Sequence, residues 1–331
     1  MQAILSVTVP FFALVLCGYL AAWRGVLPEA AIPGLNIYVL FFALPCLLFR
    51  FGSSMPFAQL IDPVLIAIYA LCALLMVFFT VAATLRRGDA GRGVDMKNAA
   101  FGALVATFPN TGFMGVPLLV ALFGERAAGP VIGTVLIDLI LTSTLCIAIA
   151  QPRVPGSAAS AEPAGALASV TRSLRAAMTN PLPWAIAIGA LSAASGLQFP
   201  APIAQVIKML ADSATPVALF TIGSVLWRAG QHAHTRTPVR DYLPVALFKL
   251  AIHPALVLSL GLLARAAGAP VPAFGLTVLV LAAALPSASN VSLLAERYGA
   301  DNGRIARIIM ASTVLAFASF SLLAWTLGAS A

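Results

Sequence analysis

Apolar residues recur in runs of about 20 from one end of the chain to the other, separated by short clusters of glycine, proline and charge. A run of that length is what a helix needs to cross the hydrocarbon core of a bilayer. The pattern predicts ten spans, at 3–22, 32–49, 63–85, 99–123, 130–150, 180–197, 203–227, 242–265, 271–294 and 305–327. The breaks between them carry turn and charge signals such as Arg24-Gly25, Gly52-Ser53-Ser54, Arg86-Arg87-Gly88-Asp89 and Gly124-Glu125-Arg126. The start, Met1-Gln2-Ala3-Ile4-Leu5, has no basic segment ahead of its apolar run, which predicts a retained first helix and not a cleaved signal.

Alternation of loops sorts the basic residues by side. With the N-terminus outside, the inside loops hold Arg24, then Arg86, Arg87, Arg92 and Lys97, then Arg153, Arg172 and Arg175, then Arg228, Arg236 and Arg240, then Arg297, Arg304 and Arg307. The outside loops hold only Arg50, Arg126, Lys208 and Arg265, and Lys249 falls inside a span. Positive charge collects on the cytoplasmic side of membrane proteins. The bias therefore predicts ten spans with both termini on the periplasmic side of an inner membrane. Residues 151–178 are rich in Ala, Ser, Gly and Pro and read as a cytoplasmic linker, with the stretch near Arg172 and Arg175 a candidate for lying along the membrane surface. The chain then divides into 1–150, the 151–178 linker, and 179–331.

Composition agrees. Of 331 residues, 61% are hydrophobic and 9% charged, against roughly 25% charged in soluble domains. The net charge of +8 could suggest nucleic acid as a partner, but the sidedness of the loops accounts for it better, and the expected surroundings are lipid. Cys17, Cys46, Cys72 and Cys146 all lie in apolar runs without a paired spacing, and read as small buried hydrophobes.

The chain also repeats itself. At a shift of 171 residues Pro10 meets Pro181, Gly18 meets Gly189, Gly25 meets Gly196, Pro45 meets Pro216, Leu48-Phe49 meets Leu219-Phe220, and Gly52 meets Gly223. At a shift of 177, Pro109 meets Pro286. Each half then holds five spans. An odd number forces the second half to enter from the opposite side, so an inverted-topology repeat is expected.

The fourth and ninth spans each carry a proline among polar residues: Pro109-Asn110-Thr111-Gly112 in one, Pro286-Ser287-Ala288-Ser289-Asn290 in the other. Proline removes a backbone donor and clashes with the preceding turn. In hydrocarbon the freed groups must find partners in protein or water. Past each break a new half-helix begins, with bare amides and the positive end of a dipole, which together can hold an anion. Pro109, Asn110, Thr111, Gly112, Pro286, Ser287, Ser289 and Asn290 are therefore candidates for binding a carboxylate. The blander alternative is a pair of proline kinks whose polar neighbours restore hydrogen bonds.

Asp138, Asp212, Lys249 and His253 are ionisable residues within spans five, seven and eight. Charge at membrane depth is costly and usually faces a cavity or a partner. Asp138 and Asp212 are candidate proton or sodium sites. Asp212 could instead lie in a re-entrant start of span seven. Lys249 could pair with either carboxylate, attract an anion, or snorkel to the surface. His253 fits a proton relay or a satisfied core histidine. Neither a cofactor nor a metal is expected, beyond coupling to a proton or sodium.

Leu44-Pro45-Cys46-Leu47-Leu48-Phe49, the segment Asn110 to Pro117, Thr215 to Gly223, Lys249 to Pro254, and Leu285-Pro286-Ser287 follow one another in an order and spacing that resembles the auxin efflux carrier family, whose bacterial members include proteins named as malonate permeases. The resemblance spans nearly the whole chain. It implies an all-helical membrane fold of two inverted five-helix repeats with crossed broken helices four and nine, akin to bile-acid symporters and sodium/proton antiporters. It further implies elevator-type movement of a small organic anion, and a homodimer by analogy with plant members. The long central loop of many plant members is absent. An enzyme is not expected, since the chain has no H-E-x-x-H, G-x-S-x-G or P-loop. A passive channel or a membrane sensor for a small carboxylate is the alternative.

Overall fold

The computed structural model describes residues 2–54, 61–86, 94–150, 180–196, 199–231 and 237–328. The predicted linker at 151–178, and with it Arg153, Arg172 and Arg175, lies outside the described residues, as do Arg87, Arg92 and Arg236.

The described chain is helical: α1 (Gln2–Trp23), α2 (Glu29–Ser54), α3 (Pro63–Arg86), α4 (Met96–Thr107), α5 (Thr111–Phe123), α6 (Glu125–Ala150), α7 (Pro181–Ser195), α8 (Ala201–Gln231), α9 (Val239–Ala266), α10 (Ala273–Ala283), α11 (Asn290–Arg297) and α12 (Asn302–Thr326). Seven of these are long and apolar enough to cross a membrane, while Thr111–Phe123, Pro181–Ser195 and Ala273–Ala283 are shorter apolar helices. Two of the short ones are pieces of the predicted fourth and ninth spans, which the chain interrupts. Side chains such as Leu16, Phe41, Phe42, Leu71, Phe78, Val314 and Trp325 are exposed. In an apolar solvent an outward apolar surface carries no penalty, so helices associate by close packing of small residues and by polar contacts.

Helix α1 packs on α8, α7 packs on α2, and α2 also packs on α8. Glycine makes these contacts. A Cβ at Gly18 of α1 would collide with the Phe220 carbonyl of α8, and one at Gly189 of α7 with the Phe49 carbonyl of α2. Likewise a Cβ at Gly223 would strike the Val15 carbonyl, and one at Gly52 would meet the Ile186 carbonyl at 2.8 Å. Each contact in these two pairs becomes the other under the 171-residue shift. The helix ends behave alike: the Gly25 amide bonds Ala22 O and the Gly196 amide bonds Ala193 O, both glycines having positive φ, at 71° and 64°. Glycine adopts that left-handed conformation without a steric penalty.

The remaining helices gather around the interrupted ones. Helix α3 packs on α4, α4 on α6, and α9 on both α10 and α12. At one end of the bundle Arg304 of α12 is buried and donates to the carbonyls of Asp241 (2.9 Å) and Asn98 (3.0 Å), joining the starts of α4, α9 and α12. Asp301 caps α12 through the Arg304 amide, and its own amide is held by the Asn98 side chain.

Candidate functional site

Helix α4 stops at Thr107, where Phe108 turns extended (φ −84°, ψ 98°) and Pro109 follows. Helix α10 stops at Ala283, and α11 begins at Asn290. The two interruptions meet. The Asn110 amide donates to Pro286 O at 2.8 Å and the Ala288 amide donates to Phe108 O at 3.0 Å, an antiparallel bridge between Pro109 and Ser287. Groups freed by each proline are thus paired partly by the other break, which satisfies backbone that lipid could not. The Ser287 amide goes to Ser312 Oγ of α12 at 3.1 Å. On the α5 side both Met114 and Gly115 amides return to Asn110 O, at 3.0 and 2.9 Å, which widens the first turn into a π-helix over Thr111–Gly115. A Cβ at Gly115 would meet the Leu285 side chain at 2.6 Å, so a larger residue there requires that side chain to move.

The pairing leaves donors over. Among the described residues no acceptor takes the amides of Gly112, Phe113, Ser289 or Asn290. Ser287 Oγ and Asn290 Oδ1 are buried without a hydrogen-bond partner. Buried polar groups in native proteins are otherwise nearly always paired. Asn110, Thr111, Pro109, Pro286 and Ser289 are buried, and Gly112 and Asn290 are half-buried. A cavity of about 30 Å³ lies against Phe108, Asn110, Gly112, Ala288 and Asn290, walled by Leu40 of α2 and Leu182 of α7. It has room for about two water molecules. A larger cavity of about 550 Å³ opens between Asn36 of α2, Arg228 of α8 and Ser292 and Glu296 of α11. Ser292 sits two residues past Asn290 on the same helix, and Arg228 is paired with Glu29 at 3.4 Å.

Three of the four predicted ionisable residues come together beside this crossing. Asp138 opens a π-helical turn in α6 and is fully buried; it accepts from Tyr69 Oη of α3 at 2.9 Å and from Thr142 Oγ1 at 3.0 Å. Lys249 lies in a π-helical turn of α9, also fully buried. Its Nζ donates to Ala283 O at 2.8 Å and stands 2.9 Å from His253 Nδ1. The Lys249 ammonium therefore does not snorkel. The Tyr69 and His253 rings lie 5.8 Å apart, so the hydrogen-bonded pair Asp138–Tyr69 and the hydrogen-bonded group His253–Lys249–Ala283 meet through a ring contact, in a line from Asp138 to Ala283. Two π-turns within one cluster are notable because such bulges often mark functional positions.

Asp212 stands apart. It faces outward on α8, 53% exposed, and pairs with Arg50 at 2.7 Å. It belongs to an exposed ion pair and not to the buried cluster. Tyr69, Thr142, Ser312 and the Ala283 carbonyl were not foreseen. Tyr69 is a single hydroxyl in an apolar run, and a backbone carbonyl leaves no mark in a sequence.

An all-helical membrane protein with paired broken helices, unpaired amides at their junction and buried charge beside it has the features of a transporter. The family model described as "Membrane transport protein" matches residues 3–326, and the chain belongs to that family, the one that includes the auxin efflux carriers. It is 27% identical over 322 residues to a Rhizobium meliloti (strain 1021) protein provisionally named a malonate transporter, covering 96% of this chain and 94% of that one. It is 25% identical over 338 residues to auxin efflux carrier component 8 of Arabidopsis thaliana, covering 89% of each. A Methanothermobacter thermautotrophicus protein named only as a transporter is 27% identical, with 97% and 96% covered. The chain is a membrane transporter and not an enzyme.

Proposed function

We propose that this chain is a secondary carrier of small mono- or dicarboxylates, malonate among them, working by elevator-type alternating access. The carrying observation is the crossing itself: four unpaired amides, from Gly112, Phe113, Ser289 and Asn290, with unpartnered Ser287 Oγ and Asn290 Oδ1 beside them. Helix N-termini stabilise anions through bare amides and the dipole. A carboxylate bound there needs no cationic side chain. Asn110, Thr111 and Ser287 supply further donors, while Pro109 and Pro286 keep the breaks open. Malonate as substrate is supported by the name of the Rhizobium relative.

In this proposal residues 1–150 and 179–331 are two inverted five-span repeats joined by the 151–178 linker, with both termini periplasmic in an inner membrane. The interchange of the Gly18–Phe220 and Gly189–Phe49 contacts, and of the Gly223–Val15 and Gly52–Ile186 contacts, supports the duplication. Helices α1, α2, α7 and α8 form the fixed frame, and the helices around the crossing move against it. The 550 Å³ cavity beside Ser292 is the cytoplasmic approach. The small cavity at the crossing then describes a closed site that must open along α2 and α7 to admit substrate. Asp138, Lys249 and His253 are the ion-coupling residues. The carrier is proposed to act as a homodimer.

Proteoliposomes test this. Purified protein should exchange labelled malonate for internal malonate, and Asn110→Leu or Ser287→Leu should abolish exchange while the variants stay monodisperse and bilayer-inserted. Full exchange by both variants would remove the site.

A further inference from the structure

We infer that the coupling ion is a proton held by the Asp138–Tyr69–His253–Lys249 line, and that Lys249 transmits its presence to the crossing through the carbonyl of Ala283. This rests on the carrier reading and narrows it, since the sequence left proton and sodium equally open.

The geometry disfavours a metal cation. Hard cations take several oxygen ligands. Asp138 has its two oxygens already engaged by the hydroxyls of Tyr69 and Thr142, and the Ala283 carbonyl is occupied by the Lys249 ammonium. Among the described residues no cluster of metal-ligating side chains forms. By contrast, Lys249 Nζ and His253 Nδ1 stand 2.9 Å apart, a distance at which one proton lies between two nitrogens. His253 Nε2 is buried with no partner, so the imidazole is not locked into one tautomer by a second bond.

The surroundings are few and can be named. Cys72 of α3 and Cys146 of α6 are the other titratable groups near the line, and Cys72 Sγ touches His253 O at 3.9 Å. The remaining titratable groups on helices packed against the Lys249 turn sit near the helix ends: Lys97 on α4, Arg240, Asp241, Tyr242 and Arg265 on α9, and Arg304 and Arg307 on α12. Arg304 is held by the Asp241 and Asn98 carbonyls, and Arg307 donates to Thr237 O.

The link to substrate is mechanical. Ala283 is the last helical residue of α10, where carbonyls lack intrahelical partners and the dipole is negative. A cation bonded there stabilises that end. Pro286, three residues on, receives the Asn110 amide across the crossing. A proton arriving from one side leaves Lys249 charged and α10 firmly ended; its loss to the other side removes the charge from that carbonyl. The cluster gains and loses one proton as a unit, and no other group changes charge.

The experiment separates this from the carrier reading. In proteoliposomes, malonate counterflow without any ion gradient tests carriage alone. Inward proton and inward sodium gradients are then imposed separately. Wild-type protein should accumulate malonate above equilibrium with the proton gradient and only equilibrate with sodium. In Lys249→Met and Asp138→Asn the ratio of proton-driven uptake to counterflow should fall to its gradient-free value. Accumulation driven by sodium, or an unchanged ratio in Lys249→Met, would overturn the inference. A second arm needs neither substrate nor variant activity. The other lysines are only Lys97 and Lys208, so ¹⁵N-lysine spectra in nanodiscs are simple, with Lys249 assigned by its loss in Lys249→Arg. Its signal should shift with pH and ignore sodium. A Lys249 signal unmoved by pH wherever the protein stays folded, or moved by sodium, would refute the proton assignment even if no carboxylate is carried.

Discussion

Substituting alanine at three of the contact glycines, Gly18, Gly52 and Gly223, gives a graded prediction. An ordinary contact of a Cβ begins at 3.4 Å, and at Gly52 the added carbon would stand 2.8 Å from Ile186 O. Relief there needs a shift of about 0.6 Å between α2 and α7, before any cost of overpacking. At Gly18 and Gly223 the overlap with Phe220 O and Val15 O is deeper, and the struck atoms are backbone that cannot rotate away. Alanine returns about 1 kcal/mol of helix propensity at each position. Overpacking a close contact costs about 1–3 kcal/mol, with backbone collisions at or above the upper end. Gly52→Ala should therefore be close to neutral or cost about 1 kcal/mol, while Gly18→Ala and Gly223→Ala should lose about 2 kcal/mol or more. Gly34→Ala and Gly230→Ala serve as controls, since a Cβ there meets nothing within 4 Å. Thermal unfolding of purified protein in one detergent ranks them. If Gly18→Ala and Gly223→Ala melt with Gly230→Ala, the glycine-mediated packing of α1 on α8 is wrong.

Arg304→Gln should lower thermal stability sharply, because it breaks charge-assisted bonds to two carbonyls that tie three helix starts, each worth about 1.5–3 kcal/mol. Ser312→Ala removes the acceptor of the Ser287 amide and should cost about 1–3 kcal/mol, seen as faster hydrogen exchange at that amide and in α11. Asp212→Asn should change stability by no more than about 1 kcal/mol, as befits an exposed pair, and leave the ion dependence of transport as it was. Asp138→Asn, at a fully buried position, should alter that dependence.

Hydropathy marked the apolar runs, seven of which are helices long and apolar enough to cross a membrane among the described residues, because it follows directly from the solvent being lipid. The prolines at 109 and 286 were legible as breaks because each sits in a cluster of polar residues, whereas Pro10 and Pro216 lie inside unbroken helices. That the two breaks bond to each other was less legible: the bridge between Pro109 and Ser287 is a backbone event between segments 178 residues apart. The glycine matches at a 171-residue shift were visible as letters, whereas their meaning as reciprocal helix contacts required coordinates. Asp138, Lys249 and His253 stood out as charge within apolar runs, but the Tyr69 hydroxyl and the Ala283 carbonyl that complete their line did not. Asp212 was legible as charge within an apolar run, whereas its exposed pairing with Arg50 was not. Helix α8 has 31 residues, about 46 Å of helix, which exceeds the roughly 30 Å of hydrocarbon. Depth counted from an assumed start is then not burial.

The most direct test is a distance. Protein carrying ¹⁵N at the Gly, Phe, Ser and Asn amides, reconstituted in liposomes with ¹³C-carboxyl malonate, can be examined by dipolar-recoupling solid-state NMR, with Gly112, Phe113, Ser289 and Asn290 identified by single-site substitution. A carboxylate hydrogen-bonded at the crossing should dephase these amides strongly, at carbon-to-nitrogen separations of about 3.5–4 Å. Malonate that binds while all four amides remain undephased would place the substrate elsewhere and contradict the account.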